Sequence, residues 1–178
     1  MIYNVAQLLK APVGTVQKVE LDDADELVLA DDEAVLAGPI SGEAKLHRTN
    51  QGIFADGWVR VPVELECTRC LKHFTATLEY PLREQYYPTI DVNTGMPVPA
   101  PDDELAFPID RNHLLDLREA IRQGLVLALP TKALCNENCA GLCPQCGKDL
   151  NEGPCDCEPE PVEDRFAELR QLLEQPEN

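Results

Sequence analysis

Val59-Arg60-Val61-Pro62-Val63-Glu64-Leu65-Glu66-Cys67-Thr68-Arg69-Cys70, followed by Phe74-Thr75-Ala76-Thr77-Leu78-Glu79-Tyr80-Pro81-Leu82, sets the architecture. Val59, Val61, Val63 and Leu65 fall on one side of an extended chain, and Arg60, Pro62, Glu64 and Glu66 on the other. Phe74, Ala76, Leu78, Tyr80 and Leu82 repeat the pattern. A period of two marks half-buried strands. The Cys67/Cys70 pair sits where the chain has to reverse, so a cysteine turn joins two antiparallel strands.

Working outward, Ile40, Gly42, Ala44 and Leu46 alternate with Ser41, Glu43, Lys45 and His47, and Asn50-Gln51-Gly52 supplies a turn into the next strand. The result is an antiparallel meander. Pro62 has no N–H to give to a ladder, which predicts an edge strand or a bulge at that point. Ahead of the meander, Tyr3–Lys10 reads as a short helix or docking strand, Val13–Leu21 follows, and Asp22-Asp23-Ala24-Asp25-Glu26 reads as a solvated loop or edge. Behind it, Pro88 to Pro101 contains Gly95, Pro97 and Pro99 and predicts a surface loop. Asp116-Leu117-Arg118-Glu119 resembles a capping box, opening a helix to about Ala128 that turns Leu117, Ile121, Leu125 and Ala128 to the sheet.

The expected fold class is α+β: an antiparallel β-meander core with one packed helix, a C-terminal cysteine-rich zinc module and a terminal amphipathic helix. Residues 1–130 form the β-rich domain, 131–157 the zinc-binding module, and 158–178 an acidic linker and last helix carrying Phe166, Leu169 and Leu173 on one side. At 178 residues, 44% hydrophobic and 26% charged, the chain suits one core plus a small appendage. No apolar run approaches a membrane span, and Met1-Ile2-Tyr3-Asn4-Val5 lacks the pattern of a secretory signal. A cytoplasmic location is the expectation.

Eight cysteines fall in four pairs: Cys67-x2-Cys70, Cys135-x3-Cys139, Cys143-x2-Cys146 and Cys155-x-Cys157. One tight turn aims two thiolates at one ion, and two such turns complete a tetrahedron, so four pairs predict two zinc ions per chain. A disulfide scaffold would be shorter and richer in cysteine. Pro144 pre-sets the Cys143–Cys146 turn, and Gly147 permits the positive φ such a turn needs. The favoured grouping is Cys143, Cys146, Cys155 and Cys157 as a local site, with Cys67, Cys70, Cys135 and Cys139 clipping the strand reversal to the segment after the helix. At Cys155-x-Cys157 either the chain turns sharply or only one of the two cysteines ligates.

The formal charge is −17, yet residues 44–83 are net +2 and the remainder net −19. Any contact with RNA belongs in that segment, with Arg48, Arg60, Arg69 and Lys72 as candidates; Arg69 and Lys72, together with Lys132 and Lys148, stand close enough to cysteines to serve a metal site instead. The acidic remainder suits a basic protein partner. Catalysis finds little footing: His47, His73 and His113 stand without a motif, and cysteine-saturated zinc has no open position. The rival reading is a redox-regulated zinc chaperone or switch, in which oxidation of the thiols releases the metal. Cys139-x3-Cys143-x2-Cys146 also matches a radical iron–sulfur spacing, but that chemistry belongs with a long α/β barrel.

Glu66-Cys67-Thr68-Arg69-Cys70-Leu71, Asp116-Leu117, Leu127-Ala128-Leu129-Pro130, Cys139-Ala140-Gly141-Leu142-Cys143-Pro144-Gln145-Cys146-Gly147-Lys148-Asp149-Leu150-Asn151, Cys155-Asp156-Cys157 and Asp164-Arg165-Phe166 resemble the YceD family. The resemblance implies a non-enzymatic accessory role in ribosome biogenesis, through accumulation of large-subunit ribosomal RNA, with a ribosomal protein or ribosomal RNA of the large subunit as partner.

Overall fold

The computed structural model describes residues 1–23, 35–99, 101 and 106–157. The expected linker and terminal helix of 158–178, and Asp25 and Glu26, lie outside the described residues. In chain order the elements are β1 (Ile2–Asn4), α1 (Ala6–Lys10), β2 (Val16–Asp23), β3 (Val35–Leu36), β4 (Ile40–Arg48), β5 (Ile53–Glu66), β6 (His73–Pro88), β7 (Phe107–Ile109), β8 (Leu114–Asp116) and α2 (Arg118–Ala128), closed by a 3-10 turn at Leu150–Glu152. One sheet holds all the strands in the order β1-β8-β7-β6-β5-β4-β2, with β3 also on β5. Successive pairs β4–β5 and β5–β6 are antiparallel, β2 adds antiparallel to β4, and β6–β7 is parallel.

The alternation of the sequence becomes two faces. Val59, Val61 and Val63 are fully buried, as are Leu46 and Ala55 on the same side of β4 and β5, and Leu78, Tyr80, Leu82 and Tyr86 continue the layer on β6. Helix α2 closes it with Ala120, Ile121 and Leu125, and α1 adds Leu8 and Leu9. Gly124 lets α2 approach so closely that a Cβ there would collide with the Tyr80 ring, whose hydroxyl donates to Ala120 O at 3.3 Å.

Of three local expectations, those for Pro62 and Tyr3–Lys10 are met in a particular form and the capping box is corrected. Pro62 stands in the middle of a strand flanked on both sides. Its carbonyl accepts from Ala37 N–H at 2.8 Å, so the missing N–H points the same way, toward the break between β3 (Leu36 opposite Val63) and β4 (Ser41 opposite Arg60). The irregularity belongs to the facing chain at Ala37–Pro39, where no ladder donor is required. The capping box is replaced by a different arrangement: Leu117 is the N-cap, Asp116 accepts from Arg118 N–H at 3.0 Å and grips its guanidinium, and Glu119 reaches forward to Arg122 and Gln123. Tyr3–Lys10 is both a strand and a helix, with Val5 N–H bonded to His113 O. Among the described residues, no helix is long and apolar enough to cross a membrane.

Candidate metal centres

The strand reversal between β5 and β6 is built by Cys67-Thr68-Arg69-Cys70-Leu71-Lys72. Cys67 N–H donates to Lys72 O at 2.9 Å, and Leu71 N–H donates back to Cys67 O at 2.8 Å. Cys143-Pro144-Gln145-Cys146-Gly147-Lys148 repeats the same pair of bonds, Cys143 N–H to Lys148 O at 2.8 Å and Gly147 N–H to Cys143 O at 2.9 Å. Both turns place their fifth residue at positive φ, 57° at Leu71 and 72° at Gly147. In each, backbone N–H groups converge on the first sulfur. The N–H of Cys135, then those of Cys70 and Arg69, draw the Cys67 thiol down to about 6. Those of Cys146 and Gln145, helped by the Cys155 side chain, draw Cys143 down to about 6.

The remaining ligand pairs are brought in by the chain after α2. Thr68 bonds Ala133 O through both its N–H (2.9 Å) and its hydroxyl (3.2 Å), which lays the segment ahead of Cys135 against the first turn. Arg69 then donates to Cys139 O at 2.8 Å. The outcome is two groups of four sulfurs, Cys67, Cys70, Cys135 and Cys139, and Cys143, Cys146, Cys155 and Cys157, each with its atoms within 4.8 Å of one another. Cys155 and Cys157 therefore converge.

The donor sets fit a tetrahedral ion. Four sulfurs at about 2.3 Å from a common centre lie about 3.8 Å apart, and Cys67–Cys139 and Cys70–Cys135 stand at 3.8 and 3.6 Å. Cys135 is pushed up to about 12, chiefly by the Cys70 sulfur and by burial, and Cys157 to about 12, chiefly by Cys146 and by burial. Crowded thiolates resist ionising together, and a divalent cation at the centre relieves that conflict.

The two groups are locked together. Leu142 N–H bonds Arg69 O at 3.1 Å, and a side chain at Gly141 would press on that carbonyl. Asn151 donates to Cys139 Sγ at 3.4 Å and accepts from Ala140 N–H at 2.8 Å. Lys72 lies 2.6 Å from Asp149 and 3.1 Å from Glu152, which raises its pKa well above the ordinary lysine value. Asn151, Asp149 and Leu71 are contributors that sequence reasoning missed; the one available signal was the Asp149-Leu150-Asn151 turn, in which Asp149 accepts from Asn151 N–H at 2.9 Å.

The candidate RNA contacts do not form a patch of open cations. Arg48 donates to the carbonyls of Leu9, Thr49 and Gly52, bolting α1 to the β4–β5 turn. Arg60 pairs with Glu79 at 2.6 Å, Arg69 is committed to Cys139 O, and Lys72 to Asp149 and Glu152. Arg83, in the same net-positive segment, pairs with Asp56 at 3.3 Å.

Residues 55–173 match the family described as large ribosomal RNA subunit accumulation protein YceD. An uncharacterized protein of Mycobacterium tuberculosis is 29% identical over 149 residues, covering 83% of this chain and 67% of that protein. A protein of Arabidopsis thaliana named large ribosomal RNA subunit accumulation protein YCED homolog 1, chloroplastic, is 26% identical over 159 residues, 77% of this chain and 49% of that protein. Its namesake in Zea mays is 40% identical over 63 residues, 35% of this chain and 21% of that protein. No solved structure matches.

Proposed function

The chain belongs to the YceD family, and from that premise we propose that it is a non-enzymatic accessory factor of large-subunit ribosome assembly, shaped by two structural zinc ions and acting by binding a basic ribosomal protein. The process is taken from the name of the Arabidopsis relative. The observation that carries the metal part is the pair of four-cysteine groups with sulfur spacings of a tetrahedral site. Zinc, when bound, supplies a cross-link; the chain's own residues do the rest, with backbone N–H groups and Asn151 facing the sulfurs and Lys72 tying one turn to the other module. Four sulfurs fill a tetrahedral zinc and leave no position for water or substrate, which favours a structural over a catalytic role.

For the partner, charge decides between the alternatives. A field from a net charge of −17 opposes approach to a phosphate backbone and steers basic proteins inward. The four candidate cations that would have to overcome that field locally, Arg48, Arg60, Arg69 and Lys72, are engaged with carboxylates and carbonyls. Two measurements test the proposal. Elemental analysis of protein made in cells is expected to return two zinc ions per chain, and one equivalent with free thiols, or an iron–sulfur absorption band, would overturn the metal reading. Cells lacking the protein are expected to show a lower ratio of large- to small-subunit ribosomal RNA than cells that have it, and an unchanged ratio under conditions of normal expression would overturn the assembly role.

A further inference from the structure

Beside the first cysteine turn lies a cleft of about 440 Å³ that the metal reading does not use. Leu65, Leu129, Pro130 and Ala133 give it an apolar lining, and Glu64 and Glu66 stand at its β5 side. Its walls come from Val35 on β3, the end of β5 with Thr68, His73 at the start of β6, and residues 129–133 after α2, which Thr68 holds through Ala133 O. The cleft therefore exists only while that segment is held against the cysteine turn. Glu66 and Leu129-Pro130, which metal binding does not use, line it.

We propose that this cleft is the docking site for a lysine- and arginine-rich segment of a partner protein that inserts an apolar anchor residue; the inference rests on the basic-partner reading above and locates it. The carboxylates of Glu64 and Glu66 are about half exposed, and the His73 imidazole stands 3.4 Å from Glu64 and 3.9 Å from Glu66. Lys132, next in sequence to Thr131, is not among the lining residues. Val35, 63% exposed, extends the apolar floor to the surface, where a long aliphatic side chain can lie with its charged end toward the carboxylates. An apolar anchor in a pocket with a polar, charged rim is the usual anatomy of a protein contact. RNA does not suit the site, since the rim repels phosphate. A second copy of this chain does not suit it either, since two bodies of charge −17 repel.

The experiment uses the zinc-loaded full chain and two fluorescent peptides, one with a single leucine among lysines and arginines, the other with that leucine replaced by aspartate. Anisotropy is expected to show binding of the leucine peptide and much weaker binding of the aspartate peptide. Val35→Lys and the double variant Glu64→Gln/Glu66→Gln each alter exposed side chains, and each is expected to weaken the leucine peptide about tenfold, the range for removing a charge partner or an anchor at a protein contact. Glu20→Gln/Glu43→Gln, on the same face of the sheet but level with Trp58, six residues along β5 from Glu64, is the control and is expected to change affinity less than about twofold, through the long-range field alone. Zinc content and melting temperature establish that each variant is folded. If the leucine peptide binds wild type but Val35→Lys and the Glu64/Glu66 variant bind it equally well, the cleft is the wrong site while the basic-partner reading stands. If neither cationic peptide binds but a single-stranded RNA probe does, the basic-partner reading and the cleft fall together.

Discussion

Asn151, in the loop of the second cysteine group, donates its side-chain amide to Cys139 Sγ, a member of the first, at 3.4 Å. Its carbonyl oxygen accepts from Ala140 N–H at 2.8 Å, and its amide also reaches Asp149 at 2.7 Å, so one side chain holds the two groups in register. A donor to a thiolate ligand stabilises its charge and fixes its direction.

Asn151→Ala is therefore expected to weaken the first site rather than the one in whose loop it lies. The fall in affinity is about tenfold, the lower end of what outer partners of metal ligands contribute. Competition with a chromophoric chelator, followed for each site, reads this out. Weakening confined to the second site would show that the amide contact is incidental.

The two cysteine turns share a fold but not a residue at their fifth position. Leu71 adopts φ of 57°, where a Cβ meets the following carbonyl, whereas Gly147 adopts 72° without that penalty. Nothing lies within 4 Å of a Cβ placed at Gly147, so the cost of a side chain there is purely backbone. Gly147→Val is expected to lower the stability of the metal-loaded protein by about 1–2 kcal/mol. Leu71→Gly removes the same strain but adds chain entropy, and should come out within about 1 kcal/mol of wild type, on the stabilising side. Denaturant midpoints with excess zinc measure both, and a destabilised Leu71→Gly would show that the exposed leucine makes contacts that outweigh its strain.

Tyr86 is fully buried against Phe107, ring centroids 5.4 Å apart, and its hydroxyl has no hydrogen-bond partner among the described residues. Burial, with Tyr80, Glu84 and Asp116 nearby, pushes its pKa well above the ordinary tyrosine value. The unfolded chain thus loses its proton at lower pH than the folded one, so the folded state keeps its full advantage below about pH 10 and loses it as pH rises past that value. Tyr86→Phe removes an unsatisfied buried hydroxyl and is expected to stabilise the protein by about 1 kcal/mol at neutral pH. It should also flatten the alkaline decline, part of which remains because burial raises Tyr80 as well. A variant less stable than wild type at pH 7 would mean that the hydroxyl does have a partner.

What was legible in the sequence follows from where the signal is local. Val59, Val61 and Val63 read as one buried face because a strand's period is two, and the cysteines read as turns because their partners lie two or three residues away. β7 and β8 went unread. Three residues each are too few to show a period, and their reversal at Asp110-Arg111-Asn112-His113 is organised by Asp110, which accepts from the N–H groups of Asn112 and Leu114. Pro62 marks an irregularity in the sheet, as its missing N–H implies, but that the extra residues belong to the facing chain is tertiary information. Arg48 reads as an open cation in sequence, and its occupation by carbonyls from positions 9, 49 and 52 is tertiary information. Lys72 with Asp149 and Asn151 with Cys139 are likewise contacts that only the meeting of the cysteine turns creates.

The dependence between the two groups should be one-sided. The first rests on β5 and β6, whose core of Val61, Val63 and Leu78 is independent of it. The second has no buried apolar cluster of its own among the described residues; it is held by Leu142 N–H on Arg69 O, by Lys72 on Asp149, and by Asn151 on Cys139. Cys143→Ser should therefore free residues 143–157 to exchange with solvent while the amides around Cys67 and Cys135 stay protected and one zinc ion remains. Cys67→Ser should release the segment around Cys135 together with the second group, because the turn carrying Arg69 and Lys72 loses its shape, and the loss of zinc should approach two ions. If zinc binds there, closure of the long loop between Cys70 and Cys135 would make that first site worth several kcal/mol to the fold, since metal binding and ordering of such a segment are one event. Hydrogen exchange with metal analysis on both variants decides the point. If Cys67→Ser keeps a full zinc ion at Cys143–Cys157 and leaves residues 141–152 protected, the second group folds on its own and the contacts through Lys72 and Asn151 follow from its structure instead of supporting it.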